Sequence, residues 1–260
     1  MASPVAGFIA AALNARAGGG GRGYQALFVI SFVLGMLATL SYSRVPEPPS
    51  TRDRRRAGDL RRIPGLLTRH PLFAWLAVTG LLWSLSLNVA TPFYTVFLID
   101  EIRGTAANIG INSGITSAST FIGLLVFGTL ADRWGNQRLF VILGLLVPFT
   151  PMLWLFVYRP EHLYPIYVAS GFLWAGYNLA AFNLLLEAAP AEDRDSAVAL
   201  YSTVVAAGAV AGPLVGGALI GLMGYRMTFF MSGVGRLAAM LVFVAGLAVM
   251  RRRGSGGGRR

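Results

Sequence analysis

Polar and aromatic side chains stand at helical spacing inside otherwise apolar stretches of this sequence. Trp83, Asn88, Thr91 and Tyr94 recur at intervals of three to five residues, close to one stripe of a helix. Residues of the same kind in two later stretches are Asn112, Thr116, Tyr177, Asn178 and Asn183. These groups suit hydrogen bonding to a small polar or amphipathic solute. The alternative is that they join helices to one another.

One charge lies well inside an apolar stretch. Arg236 stands about ten residues after the start of that stretch, and an enclosed charge of this kind marks a functional site by default. Two other interpretations stay open, because a long cationic side chain can also extend to the headgroups or pair with a neighbour.

The sequence offers no arrangement of side chains for covalent catalysis or metal binding. It contains no cysteine, and no cluster of Ser, His and Asp or pair of carboxylates stands inside an apolar stretch. His70 and His162 lie at the edges of such stretches without a metal-ligand partner nearby. The carboxylates also lie near the ends, so no proton-coupling acid is visible. We therefore expect no enzymatic activity, no metal and no cofactor.

The elements that must position these residues are long apolar stretches. Hydrophobic residues make up 55% of the chain and charged residues 13%, against about 25% charged in an average soluble domain. The stretches lie at 25–43, 72–98, 107–131, 139–157, 164–187, 196–222 and 227–250. Each is long enough for a helix to cross a hydrocarbon core of about 30 Å, where the backbone must bond within itself. The prediction is an all-α integral membrane protein, a polytopic helix bundle.

Arginine supplies every cationic side chain, since the sequence contains no lysine. The arginines gather between the apolar stretches, which argues against a nucleic-acid partner and for a topology signal. The segment 44–70, the loops at 132–138 and 188–195 and the tail together hold sixteen arginines, whereas the alternate loops hold five. The side with more arginines is predicted to be cytoplasmic. This prediction places the protein in the plasma membrane with its C-terminus in the cytoplasm.

Two parts of the sequence resemble each other, and their similarity bears on where the chain begins. Residues 4–13 resemble 213–222, and Gly23-Tyr24 resembles Gly224-Tyr225, with an apolar stretch and an arginine cluster after each copy. Repeats of this kind are typical of transporter halves. If the repeat is real, four stretches precede the second copy and none the first. The expectation is then a chain that starts inside a helix, truncated at its N-terminus.

The loop at 128–138 carries the most specific motif. Its residues Gly128, Leu130, Asp132, Arg133, Gly135 and Arg138 match the pattern G-x-L-A-D-R-x-G-x-x-R. Two helices must turn here within a few residues, so Gly135 supplies a permissive backbone. In this motif the chain resembles the major facilitator superfamily. The resemblance implies that Asp132 takes part in a charge cluster between helices; the alternative is a charged turn that only ends two spans.

A second motif supports the same resemblance. Gly208, Gly212, Pro213, Gly216 and Gly217 fit the pattern G-x-x-x-G-P-x-x-G-G of that superfamily. Small residues four apart let helices approach closely, and proline removes one backbone hydrogen bond and favours a bend. The alternative is a packing face with no role in transport.

An acid followed by P-x-x-x-R also resembles the superfamily's cytoplasmic helix ends. Here Glu187 precedes Pro190 and Arg194. The resemblance implies a charge cluster of Asp132, Glu187 and Arg194; the alternative is a solvated loop, in which such pairs contribute about 0 to 1 kcal/mol.

The resemblance implies a domain layout. Residues 1–43 would be the remnant of a first bundle, a partial helix and one transmembrane helix, and 44–70 an Arg- and Pro-rich cytoplasmic linker. Residues 71–250 would form the six-helix C-terminal bundle, and 251–260 a disordered cytoplasmic tail.

The function implied is secondary active transport of a small solute by alternating access, as a permease or an efflux carrier. The expected partners are the lipid bilayer, the solute with a coupling ion such as H+, and a missing first half or a second copy of the chain. The alternative is a truncated remnant that does not transport, or a membrane scaffold.

Overall fold

The computed structural model describes residues 22–44, 63–191 and 193–256. Every regular element in these ranges is helical, which confirms the predicted all-α class. The residues of the predicted partial helix at the N-terminus, most of the linker and the last four residues lie outside the described ranges.

Helical segments make up most of the described residues, and those that follow residue 62 are joined by short connections. The segments are α1 (Arg22–Tyr42), α2 (Ile63–Arg69), α3 (Pro71–Glu101), α4 (Ala106–Trp134), α5 (Asn136–Phe156), α6 (Leu163–Ala188), α7 (194–223) and α8 (225–256). The last two form one continuous segment, Arg194–Gly256, divided at Gly224, whose φ of 77° and ψ of 171° are not helical. Only glycine adopts that backbone conformation readily, so the sequence itself separates α7 from α8.

Within the described residues, four segments have the length and apolar composition needed to cross a membrane. They are α3, α4, α5 and Arg194–Arg252, which contains α7 and most of α8. Helix α6 has a comparable length of 26 residues but is not among the four.

Helix α3 changes its backbone pattern near its C-terminal end. Regular α-helix runs over Pro71–Ala90, and after Thr91 and Pro92 a short turn, Phe93–Val96, leads into a π-helix at Phe97–Glu101. Proline has no N–H to give to the preceding turn, so the backbone ladder is interrupted there. A π-helical turn of this kind often accompanies a functional position.

Contacts between helices set their relative directions. The Ser84 hydroxyl donates to the Val205 carbonyl at 2.7 Å. Further along both helices, Asn88 of α3 packs against Gly212 of α7, so the two helices run parallel. Helix α8 runs antiparallel to α3, because its early residue Ser232 bonds to the carbonyl of Ser86 while later residues reach the start of α3.

The other three helices follow the same alternation. Asn108 donates to the Tyr164 hydroxyl at 3.3 Å near the starts of α4 and α6, so these two run parallel. Helix α5 is antiparallel to α6, because Asn136 at its start bonds to Glu187 at the end of α6. The starts of α3, α5 and α7 therefore lie at one end of the bundle with the ends of α4, α6 and α8.

This topology places nine of the described arginines at one or the other end of the bundle. One end of the bundle carries Arg69, Arg133, Arg138, Arg194, Arg251 and Arg252. The opposite end carries Arg103, Arg159 and Arg226. The asymmetry has the same sense as the count made along the sequence.

The bundle buries two apolar clusters. The first, at the arginine-rich end and middle, includes Phe73, Leu76, Trp83, Phe127, Phe140, Tyr177, Met240 and Phe243. The second, toward the opposite end, includes Phe97, Leu98, Trp154, Val157, Leu163, Ile166 and Phe229. Many outward-facing residues are apolar too, with Leu214 75% and Phe121 65% exposed. A surface of this kind suits hydrocarbon better than water.

Helix α1 lies outside these two clusters. Its large apolar side chains from Phe28 to Leu40 are exposed, with Phe28 at 76%. The apolar surface of α1 therefore remains free to contact lipid or further helices.

Candidate functional site

An aromatic stack lies at the centre of the bundle. The ring of Trp83 on α3 stacks on Tyr177 of α6 with centroids 4.5 Å apart, and Tyr177 stacks in turn on Phe140 of α5 at 5.3 Å. Trp174 meets both Trp83 and Tyr177 edge-on. Trp83 is buried, yet its indole N–H has no hydrogen-bond partner. The structure thus joins two of the predicted solute-site residues, and leaves one donor unused.

Tyr94 belongs to a second aromatic group, just after the interruption in α3. Its ring lies 4.4 Å from that of Trp154 and 4.7 Å from that of Phe229. Its hydroxyl oxygen accepts a hydrogen bond from Nη2 of Arg236 at 3.4 Å. Tyr94 therefore connects α3 to the buried charge of α8.

Arg236 is the largest of the fully buried side chains, with 2% of its surface exposed. Besides Tyr94, Nη2 donates to the Ser232 hydroxyl at 3.0 Å, and that hydroxyl donates to the Ser86 carbonyl at 2.6 Å. Nε has no partner. Sequence reasoning noted Arg236 without placing it among the site residues. The signal was present, since no other charge stood so deep in an apolar stretch.

Several other predicted site residues form side-chain hydrogen bonds to the backbone of their own helix. Asn88 donates to the Ser84 carbonyl, Thr91 to that of Leu87 and Thr116 to that of Asn112, each at 2.8 Å. Bonds of this type leave less capacity for a solute.

Asn112 differs from these residues. It is 2% exposed, and both its side-chain nitrogen and its side-chain oxygen lack a partner. A buried amide in this state costs about 1 to 3 kcal/mol per unmet group unless water or a ligand satisfies it. Asn112 is thus the predicted site residue with the most unused hydrogen-bonding capacity.

The two asparagines of α6 lie apart from the aromatic stack. Asn178 is exposed. Asn183 donates to the side-chain oxygen of Asn136 at 3.2 Å, and the Asn136 amide donates to Glu187 at 2.6 Å. This chain of bonds ties the end of α6 to the start of α5 at the arginine-rich end of the bundle.

The loop motif forms the connection between α4 and α5. Gly135 has a φ of 79°, a value that favours glycine, and its N–H donates to the Ala131 carbonyl at 2.9 Å. Asp132 and Arg133 are exposed. The structure describes Asp132, Glu187 and Arg194, and shows no ion pair among the three. Glu187 bonds to Asn136 instead.

The glycine motif lies where α7 packs on α3. A Cβ added at Gly208 would lie 2.8 Å from the Leu81 carbonyl oxygen, and one at Gly212 would lie 2.5 Å from the Cβ of Asn88. Gly216 is enclosed in the same way, whereas a Cβ at Gly217 would meet only one atom, at 3.9 Å. Pro213 lies in helical backbone, since the non-helical angles within Arg194–Gly256 are at Gly224. Three of the motif's glycines therefore allow close backbone contact.

These features define a polytopic membrane protein with polar and aromatic groups enclosed between its helices. The chain belongs to the Major Facilitator Superfamily, whose sequence model matches residues 76–258.

Three relatives illustrate the similarity. The multi-drug resistance efflux pump PmrA of Streptococcus pneumoniae is 28% identical over 62% of this chain and 40% of its own length. The enterobactin exporter EntS of Shigella boydii is 27% identical over 68% of this chain and 43% of its own. The inner membrane metabolite transport protein YgcS of Escherichia coli is 29% identical over 41% and 24%. The match to PmrA thus spans about two fifths of that protein's length.

Proposed function

We propose that this chain forms one helix bundle of a secondary transporter, which moves a small solute across the membrane by alternating access. The observation that carries the proposal is the interrupted α3, with Trp83 before Pro92 and Tyr94 after it. In secondary transporters, solute sites lie at helices of this type near the middle of the membrane. The unused polar atoms of Trp83 and Asn112 supply hydrogen-bonding capacity in the same bundle.

Alternating access requires a second bundle to form the other wall of the pathway. Further segments of a longer polypeptide, a separate chain or a second copy of this chain would each provide one. The described carboxylates of α3 to α8 stand near helix ends, so coupling to an ion such as H+ would rely on an acid of the second bundle.

The printed descriptions of two relatives name efflux and export. We therefore propose outward transport of an amphipathic solute, with the apolar body held by the aromatic groups around Trp83 and Tyr94. We also propose that the membrane is the plasma membrane, and that the arginine-rich end of the bundle and the C-terminus face the cytoplasm.

Reconstituted flux tests this function. The purified chain would be placed in liposomes, and the entry of three probes measured: the cation ethidium, the anion benzenesulfonate and the neutral sugar xylose. We expect a saturable initial rate for at least one amphipathic probe, about tenfold or more above protein-free liposomes, since a carrier lowers the barrier by more than 1.4 kcal/mol.

Trapped sucrose serves as the control for leakage. If no probe enters faster than into protein-free liposomes while sucrose stays trapped, the proposal fails for transport by this chain alone or paired with a second copy of itself. The remnant or scaffold alternative would then describe it better. An imposed pH gradient, applied in a parallel series, reports whether protons drive the flux.

A further inference from the structure

The charge of Arg236 is enclosed without an opposite charge. The guanidinium contacts two hydroxyl groups, those of Tyr94 and Ser232, and in the described part of the chain no carboxylate forms an ion pair with it. Nε is left without any acceptor. An isolated ion inside a protein carries a desolvation penalty of several kcal/mol, which neutral hydroxyls offset only in part. An anion placed here would supply the missing charge and the missing acceptor.

We propose that Arg236 binds the anionic group of an amphipathic solute, and that the Tyr94 hydroxyl occupies the anion's place in this structure. The inference deepens the proposed function and rests on it for the path by which the solute arrives. The bond from Arg236 to Tyr94 is long at 3.4 Å, so it is readily exchanged for a charge-assisted bond of about 2.7 to 2.9 Å.

The surroundings of Tyr94 indicate an aromatic or otherwise flat apolar body for this solute. The contacting rings among Tyr94, Trp154, Phe97 and Phe229 have centroids 4.4 to 5.8 Å apart. Edge-to-face and offset contacts between rings are favourable, so an aromatic ring of the solute could take the place of one of these side-chain rings. A guanidinium beside such a group fits an aryl sulfonate or an aryl carboxylate.

The interrupted α3 offers a way to uncover Arg236. Tyr94 follows Pro92 by two residues, and the π-helix begins at Phe97. Because the backbone ladder is already interrupted at the proline, bending there moves Tyr94 relative to Ser86, which remains anchored to Ser232. The bend would separate the hydroxyl from the guanidinium and leave room for the anion.

Calorimetric titration tests the inference on the full chain in detergent micelles, with empty micelles subtracted. Benzenesulfonate is the probe, and benzenesulfonamide is its uncharged counterpart. The variants are Arg236→Gln, Tyr94→Phe and, as a control for lost charge at an exposed site, Arg159→Gln. Sodium chloride, titrated in a gluconate buffer, distinguishes an organic anion from an inorganic one.

We expect Arg236→Gln to raise the Kd for benzenesulfonate about tenfold or more, the loss of one charge-assisted interaction. Tyr94→Phe should lower that Kd about two- to tenfold by removing the competing hydroxyl, an effect that a purely structural role of Tyr94 would not produce. Arg159→Gln should leave it unchanged, and benzenesulfonamide should bind more weakly to the unmodified chain.

Equal binding of sulfonate and sulfonamide, or a Kd unaffected by Arg236→Gln, would overturn the inference. The inference would also be overturned if chloride binds and benzenesulfonate, added afterwards, gives no further binding heat. If Arg236→Gln does not fold, Tyr94→Phe decides, because an unchanged or raised Kd contradicts the exchange. Binding that depends on Arg236 without flux refutes only the transport function, whereas flux without this dependence refutes only the anion site.

Discussion

Replacing Gly212 with leucine is expected to destabilise the bundle by about 3 kcal/mol or more, the upper range for forcing extra atoms into a packed contact. Even a Cβ at this position would lie 2.5 Å from the Cβ of Asn88 and 2.9 Å from the Leu85 carbonyl oxygen. Backbone atoms cannot rotate away as a side chain can, so α7 must separate from α3. Thermal melting of the detergent-solubilised chain would measure the loss.

Gly221→Leu is the matched control, because it makes the same change on the same helix. A Cβ at Gly221 has no neighbour within 4 Å, and the position is exposed. Leucine there should stabilise α7 slightly, by up to about 1 kcal/mol, since glycine is a poor helix former. Equal melting temperatures for the two variants would show that the close contact of α3 and α7 does not hold the bundle together.

Replacing Pro92 with leucine is expected to slow solute flux about tenfold or more, which corresponds to about 1.4 kcal/mol added to the barrier for bending α3. Leucine brings back an N–H that can bond to the preceding turn, and it removes the clash of the proline ring. The same change should leave the melting temperature equal or higher. Initial rates in proteoliposomes and melting in detergent, measured on one preparation, would separate the two effects.

Pro213→Leu provides the comparison for this experiment. Pro213 also stands inside a helix, but the surrounding backbone of α7 keeps helical angles and no π-helix follows. We expect little change in flux from this variant. If Pro213→Leu slows flux and Pro92→Leu does not, the bending point lies in α7, and the mechanism proposed for α3 is wrong.

The all-α fold was predictable because backbone groups in the hydrocarbon core of a membrane must form their hydrogen bonds within the protein. Long apolar stretches must become helices, and arginine placement orders their ends. The loop at Gly135 was predictable for a similar reason, since a turn this short requires a backbone angle that glycine tolerates. Burial of Gly208, Gly212 and Gly216 follows from their spacing of four, which keeps them on one face.

The details of the candidate site depended on how each helix is rotated about its axis, which apolar sequence alone does not determine. Tyr177 and Asn178 are neighbours in sequence, but successive residues point about 100° apart on a helix, so one joins the aromatic stack while the other is exposed. A helix that is apolar on every side gives no periodic signal to choose between them.

The partners of polar residues across the bundle were also beyond the sequence. Asn136 bonds to both Asn183 and Glu187 because Gly135 turns the chain so sharply that α5 starts beside the end of α6. The pairing of Arg236 with Tyr94 depends in turn on the antiparallel contact of α8 with α3, which sets residues 142 positions apart against each other.

Single cysteines at the two ends of α5 test whether the bundle spans a membrane with its C-terminus in the cytoplasm, because the sequence has no cysteine to interfere. Trp134→Cys precedes α5 at the arginine-rich end, and Glu161→Cys follows it at the opposite end; both positions are exposed. A maleimide that cannot cross membranes should label Glu161→Cys on intact cells and Trp134→Cys only after permeabilisation. Equal labelling of both from outside would contradict a bundle that spans the membrane with its C-terminus in the cytoplasm.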